Sequence, residues 1–103
     1  MNSSIVIALP KIDDAKKIRT ILNRHGFSVA AVCSTASTAL ASMSELDGGI
    51  LICGYKLTDR YYRDVLEDIP SYFEMLLLAS GRVIAEAPTS VLTVEMPMKS
   101  ATW

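Results

Sequence analysis

The strongest constraint on this chain is a short apolar run that alternation cannot explain. Ile50-Leu51-Ile52-Cys53 is bounded by Gly48-Gly49 on one side and by Gly54-Tyr55-Lys56 on the other. An uninterrupted apolar run of this length, closed by glycines, reads as a strand covered on both faces, the position of a central strand in a parallel sheet. Ser4 to Leu9 has the same character, β-branched and nearly all apolar, and stops at Pro10, which has no N–H to continue a ladder. Parallel strands are joined by crossovers, so helices are expected between the runs. In an open sheet of this type the ligand site lies just beyond the carboxyl ends of the strands, and here that position is Gly54.

The stretches between the runs meet this expectation. Asp13 and Asp14 stand at a helix start, and Ile12, Ala15, Ile18, Ile21 and Leu22 recur at helical spacing as far as Gly26. Phe27 to Cys33 returns as a second strand. Ser34-Thr35 leads into a small-residue helix from Ala36 to about Ser44, with Ala39, Leu40 and Met43 as its buried side. After Gly54 a loop runs to Asp59, then a short helix from Arg60 to Asp68 turns Tyr61, Val65 and Leu66 inward and is stopped by Pro70. Glu74 to Ala79 is the fourth strand and the most apolar piece of the chain. A helix compressed into about Arg82 to Ala87 and a strand from Val91 to Val94 follow, and the six residues after Pro97 are too few for another helix.

Composition narrows the function classes. A chain of 103 residues makes one domain, large enough to bury roughly 60 to 70 % of its unfolded surface. Half of the residues are apolar and a fifth charged, as in ordinary globular proteins. With a net charge of −1 and scattered basic residues, this segment is not expected to bind nucleic acid directly. Ile5 to Leu9 is too short for a signal peptide and lacks its basic flank, and no run approaches the roughly 18 apolar residues of a membrane helix. The expectation is a cytoplasmic protein without membrane contact.

The alternation of strands and helices resembles the receiver domain of two-component response regulators over nearly the whole chain. The resemblance implies a flavodoxin-like α/β fold, a three-layer sandwich around a five-stranded parallel sheet of order 2-1-3-4-5. Here the fourth helix is shortened and the fifth missing, with residues 1–97 as the receiver-like domain and 98–103 as a C-terminal tail. In that order the first strand separates Cys33 from Cys53 by two strand spacings, about 9 to 10 Å, beyond the roughly 7 Å limit of a disulfide. Both cysteines are therefore expected as free core thiols.

The resemblance also implies a phosphoryl site, and the chain departs from it at nearly every matching position. The acceptor aspartate at the end of the third strand matches Gly54, which has no side chain to phosphorylate. The acidic pair that holds Mg²⁺ matches Leu9 and Pro10. Asp13 and Asp14 fall in the first helical turn, where capping and the helix dipole account for a carboxylate. The family's lysine matches Met96, Pro97 keeps the proline after it with the option of a cis bond, and the switch aromatic matches Thr93. Ser80, followed by Gly81, alone keeps the family's hydroxyl. No cofactor and no metal are expected.

Other chemistry finds little support. Small α/β phosphatases place an arginine six residues after a catalytic cysteine; counted from Cys53 that position is Asp59, with Arg60 one further on, and the loop lacks the required glycines. His25, just before Gly26, reads as a cation at a helix C-terminus. Arg60-Tyr61-Tyr62-Arg63 reads either as a recognition patch or as two half-buried tyrosines between solvated arginines.

The reading is a non-enzymatic pseudo-receiver, a two-component, phosphorelay-type signalling module that acts by protein-protein contact. It is similar to the amino-terminal domain of ANTAR-type antitermination regulators, which implies an RNA-binding output in a longer parent protein. The alternatives are a small flavodoxin-like enzyme using Cys53 and a conventional phosphorylated receiver with a relocated aspartate, Asp59 being nearest. Because no fifth helix covers the sheet, one face should be bare, and a homodimer is expected through the side of the fourth and fifth strands. Met75, Leu77, Met98 and Trp103 are its candidate interface residues.

Overall fold

The computed structural model describes residues 4–88 and 91–95. Nine elements alternate along them: β1 (Ser4–Ala8), α1 (Ile12–Arg24), β2 (Val29–Cys33), α2 (Ala36–Ser44), β3 (Gly49–Gly54), α3 (Tyr62–Asp68), β4 (Phe73–Ala79), α4 (Gly81–Ala85) and β5 (Leu92–Glu95). The five strands form one parallel sheet in the order β2-β1-β3-β4-β5, the expected flavodoxin-like topology. Cys33 and Cys53 lie on the strands either side of β1 and are both free and buried. No helix is long and apolar enough to cross a membrane among the described residues. Met96, Pro97, Met98 and Trp103 lie outside the described residues.

The boundaries follow from local chemistry. At the end of α1 the Gly26 N–H bonds the Asn23 carbonyl and the Phe27 N–H bonds the Leu22 carbonyl, the paired pattern that closes a helix on a left-handed residue. Gly26 supplies that residue with φ +89°. The chain leaves this turn through exposed Phe27, so β2 starts only at Val29.

Burial divides the core between the two faces of the sheet. Val6, Ala8, Leu51, Cys53, Met75 and Leu77 point to one face and pack with Met43 of α2 and with Tyr62 and Val65 of α3. Val83 and Ile84 of α4 join the edge of this cluster. Ile5, Ile7 and Ile52 point to the other face, where they meet Ala15, Ile18 and Leu22 of α1. Three helices cover the first face; among the described residues α1 alone covers the second. A single helix needs only a narrow apolar stripe, and Ile12 and Ile21, expected on the inward side, flank that stripe and stand exposed.

The same asymmetry corrects the expected interface. Along β4 the side chains alternate, so Phe73, Met75, Leu77 and Ala79 are buried under α2, α3 and α4, while Leu76 and Leu78 turn to the α1 face and are only partly covered. Met75 and Leu77 are thus core residues and present no surface. Parallel pairing sets Leu92 beside Leu76 and Val94 beside Leu78, on the same face, and these two β5 residues remain 52 % and 46 % exposed. The bare strip of sheet is made of the alternate residues.

A second correction concerns α3. Tyr61, expected inward, is the extended residue that precedes the helix and is 44 % exposed, whereas Tyr62 is 1 % exposed and central to the core. The phase is set by the β3–α3 loop, in which the Tyr62 N–H bonds the Tyr55 carbonyl and fixes where the first turn begins. The Arg60–Arg63 stretch accordingly divides: Arg60 pairs with Asp68 at 2.8 Å, and Arg63 donates to the Glu86 carbonyl at 2.7 Å.

Candidate functional site

The ends of β1, β3 and β4 converge on one cleft of about 370 Å³. The chain leaves β1 through Leu9 and Pro10, leaves β3 through Gly54, Tyr55 and Lys56, and leaves β4 through Ala79 and Ser80; all line the cleft, with Leu78 and with Asp14 from the first turn of α1. β1 and β3 are adjacent at the centre of the sheet, and the connections from them run to opposite sides, which opens the crevice where α/β sheets bind ligands. Leu9, Pro10, Gly54 and Ser80, expected together from their matching positions, do come together here.

The lining is mostly hydrocarbon. Leu9 is buried, and its side chain stands against Gly54: a Cβ built on Gly54 would lie 3.1 Å from Leu9 Cδ2 and 3.5 Å from Pro10 Cδ. Ser80 precedes α4 in an extended conformation, and its hydroxyl makes no capping bond to that helix. Among the described residues no group of three or more His, Cys, Asp or Glu side chains is placed to hold a metal ion. Asp14, read from the sequence as a helix-start carboxylate, does reach the cleft from the first turn of α1, whereas Tyr55 and Lys56 were not singled out for this site, because their places depend on how the β3–α3 loop folds back. The Lys56 ammonium lies 5.2 Å from the centre of the Tyr61 ring, and Tyr55 packs edge-on against Tyr61.

Cys53 sits directly beneath this cleft but is chemically quiet. Its Sγ donates to the Gly54 carbonyl at 3.3 Å, and burial pushes the thiol up to about 12. A thiolate is the nucleophilic form, and this environment withholds it at neutral pH.

Asp59 caps a helix from a neighbouring loop. Its Oδ1 accepts from the Ala36 N–H at 2.7 Å and its Oδ2 from the Ser37 N–H at 3.2 Å and the Ser37 hydroxyl at 3.3 Å. Those are the first two amides of α2, and Thr35 Oγ1 accepts the third, from Thr38, at 3.2 Å. The α2 N-terminus is thus capped from within by Thr35 and from the β3–α3 loop by Asp59, the arrangement that satisfies orphan helix donors. The Ala36 N–H above all, with Ser37, holds the Asp59 carboxyl below its usual value despite its exposure. A depressed carboxyl contributes stability above its unfolded pKa, near 3.8, and that contribution disappears as pH falls through the lower folded value. Asp59→Ala should cost at most about 1 kcal/mol at pH 7, discounted for exposure, and nothing at a pH below both values. Urea unfolding of wild type and variant at the two pH values checks this; an equal cost at both would mean that the loss is one of packing.

Comparison with solved structures places this geometry. A CheY-like response regulator receiver domain from Methylobacillus flagellatus superposes with a TM-score of 0.77 at 14 % identity, over 98 % of this chain and 92 % of that one. The anti-anti-sigma factor PhyR from Bartonella quintana gives 0.76 at 16 % identity, over 94 % of this chain and 42 % of PhyR, so the chain spans less than half of that protein. A response regulator receiver domain protein from Bacillus halodurans C-125 gives 0.65 at 17 % identity, over 99 % of this chain and 90 % of that one. No protein-family model matches the chain, and no curated protein matches it. What is shared across these identities is architecture: the chain has the CheY-like fold of response regulator receiver domains.

Proposed function

We propose that this chain is a pseudo-receiver: a signalling module with the receiver fold that takes no phosphoryl group and works by protein-protein contact in the cytoplasm. The observation that carries the reading is at Gly54. The strand end where an acceptor would stand has no side chain, and the facing residues Leu9 and Pro10 supply hydrocarbon in place of metal-binding carboxylates. Asp59, the nearest candidate for a relocated acceptor, has both oxygens engaged by α2, and the Cys53 thiol is buried with its pKa pushed up, which weighs against the two alternatives. Residues 1–97 form the module, and an RNA-binding antitermination output belongs to a longer parent protein. One structural neighbour is an anti-anti-sigma factor.

The module pairs with a second copy through the bare strip of Leu76, Leu78, Leu92 and Val94. Apolar sheet left open on a small domain gains from being covered, at roughly 25 cal/mol per Å² before the cost of association.

Intact mass after incubation with acetyl phosphate and Mg²⁺ tests the central statement. The expected result is an unchanged 11.2 kDa protein. A stable gain of one phosphoryl group, mapped to Asp14 or Asp59, overturns it.

A further inference from the structure

The cleft over β1, β3 and β4 has the volume of a small-molecule site, about 370 Å³, within the roughly 300 to 1,000 Å³ of ligand pockets. Its walls are Leu9, Pro10, Gly54, Leu78 and Ala79, and its polar groups are Asp14, Lys56, Ser80 and the Tyr55 hydroxyl. One carboxylate and one ammonium give the lining no net charge, and no ion pair joins them among the described residues. A phosphoryl group or a divalent ion would face hydrocarbon where it needs converging charge, and burying an ion without such partners is costly. An uncharged molecule meets no such penalty.

Gly54 makes the room. Among the described glycines, positive φ occurs at Gly26, Gly48 and Gly49 only, so the backbone at Gly54 does not demand glycine. What the missing side chain does is keep the wall open, since a Cβ there would already press on Leu9 at 3.1 Å and anything larger would enter the cleft. Ser80 adds a hydroxyl that no capping bond occupies, at the junction of β4 and α4.

We infer that this cleft binds an uncharged, mainly apolar small molecule of about one-ring size bearing a hydroxyl or comparable hydrogen-bonding group, and that such a ligand is the input to the module. The second half rests on the pseudo-receiver reading; the binding site itself does not. Ligand bound there touches the β3–α3 loop through Tyr55 and Lys56 and the start of α4 through Ser80, so it bears on both segments at once.

The test is a ¹H–¹⁵N titration of the full chain with p-cresol, with toluene and inorganic phosphate plus Mg²⁺ as comparisons. p-Cresol should give saturable shifts at the amides of Leu9, Gly54 and Ser80 and bind more tightly than toluene, and phosphate with Mg²⁺ should leave those amides in place. Gly54→Ile should weaken p-cresol at least tenfold with an unchanged circular dichroism spectrum. If that variant does not fold, Gly54→Ala should weaken it by a measurable, smaller factor. Absence of saturable shifts at these amides, equal affinity in the glycine variants, or shifts confined to Leu92 and Val94 each overturns the inference, as does saturable binding of phosphate in the cleft. Acetyl phosphate labelling of the chain would remove the pseudo-receiver reading and leave the p-cresol result to decide the site.

Discussion

Gly49→Ala should cost about 4 kcal/mol or more, a large part of the stability of an ordinary domain. Gly49 opens β3 at φ +155°, where side chains are rarely tolerated, and it does so between two other segments of backbone. Its N–H donates to the Tyr72 carbonyl at 3.2 Å, and its α-carbon lies opposite Ser4 of β1 and Phe73 of β4. A methyl group there would overlap the Ser4 carbonyl oxygen and come within 2.7 Å of the Ser4 carbonyl carbon and 2.8 Å of its nitrogen. These are main-chain atoms of the central strand pair, so no rotamer change relieves the clash, and β1 and β3 must separate. A domain of ordinary stability holds only about 5 to 15 kcal/mol in total. Gly26→Ala, strained in φ but open in space, should cost on the order of 1 kcal/mol, and Gly54→Ala, unstrained and facing a flexible leucine, less still. Urea titrations of the three variants check the order. A Gly49→Ala protein as stable as Gly26→Ala would show that the close approach of Ser4 is not maintained.

Leu77→Ala should destabilise by about 2 to 5 kcal/mol, and Leu78→Ala, one residue on, by less than about 1.5 kcal/mol. Leu77 is wholly buried among Leu51, Val65 and the other side chains beneath α2, α3 and α4, so truncation leaves a cavity. Leu78 is partly covered on the opposite face, where the sheet can relax toward solvent. The surface half of the argument is read by light scattering at micromolar concentration. Wild type should run as a dimer, and Leu92→Lys with Val94→Lys should return it to the folded 11.2 kDa monomer, less stable only by what pairing contributed. A wild-type monomer, or a dimer that survives both lysines, would remove the proposed pairing surface. Equal losses for Leu77→Ala and Leu78→Ala would mean that both faces of β4 are equally covered.

The architecture was legible because its signals are local. Pro10, Gly26 and the Gly48-Gly49 pair punctuate the chain, and the apolar runs between them have strand length. The phase of α3 was not legible, because a seven-residue helix shows too little of its period to tell Tyr61 from Tyr62, and the deciding bond comes from Tyr55 in the preceding loop. Nor was the buried face of β4, since Met75-Leu76-Leu77-Leu78 is apolar at every position and the choice depends on which side carries three helices. Leu9, Pro10, Gly54 and Ser80 could be placed together because the receiver resemblance assigns each of them to a strand end. Tyr55 and Lys56 could not, because nothing in their spacing fixes a loop.

Asp59 is not alone in tying the β3–α3 loop to α2. The Thr58 N–H and hydroxyl both donate to the Ser34 carbonyl, at 3.2 and 3.0 Å, so the two loops on that side of the sheet are fastened at both ends of the α2 cap. On the same face, toward β5, α4 has five residues, no side-chain cap and no wholly buried residue. Local opening of a fold draws on its least protected segments. Opening is therefore expected first at α4, which is held through the Arg63 bond to the Glu86 carbonyl and not by a side-chain cap of its own, and amide exchange in α4 should be faster than in α2.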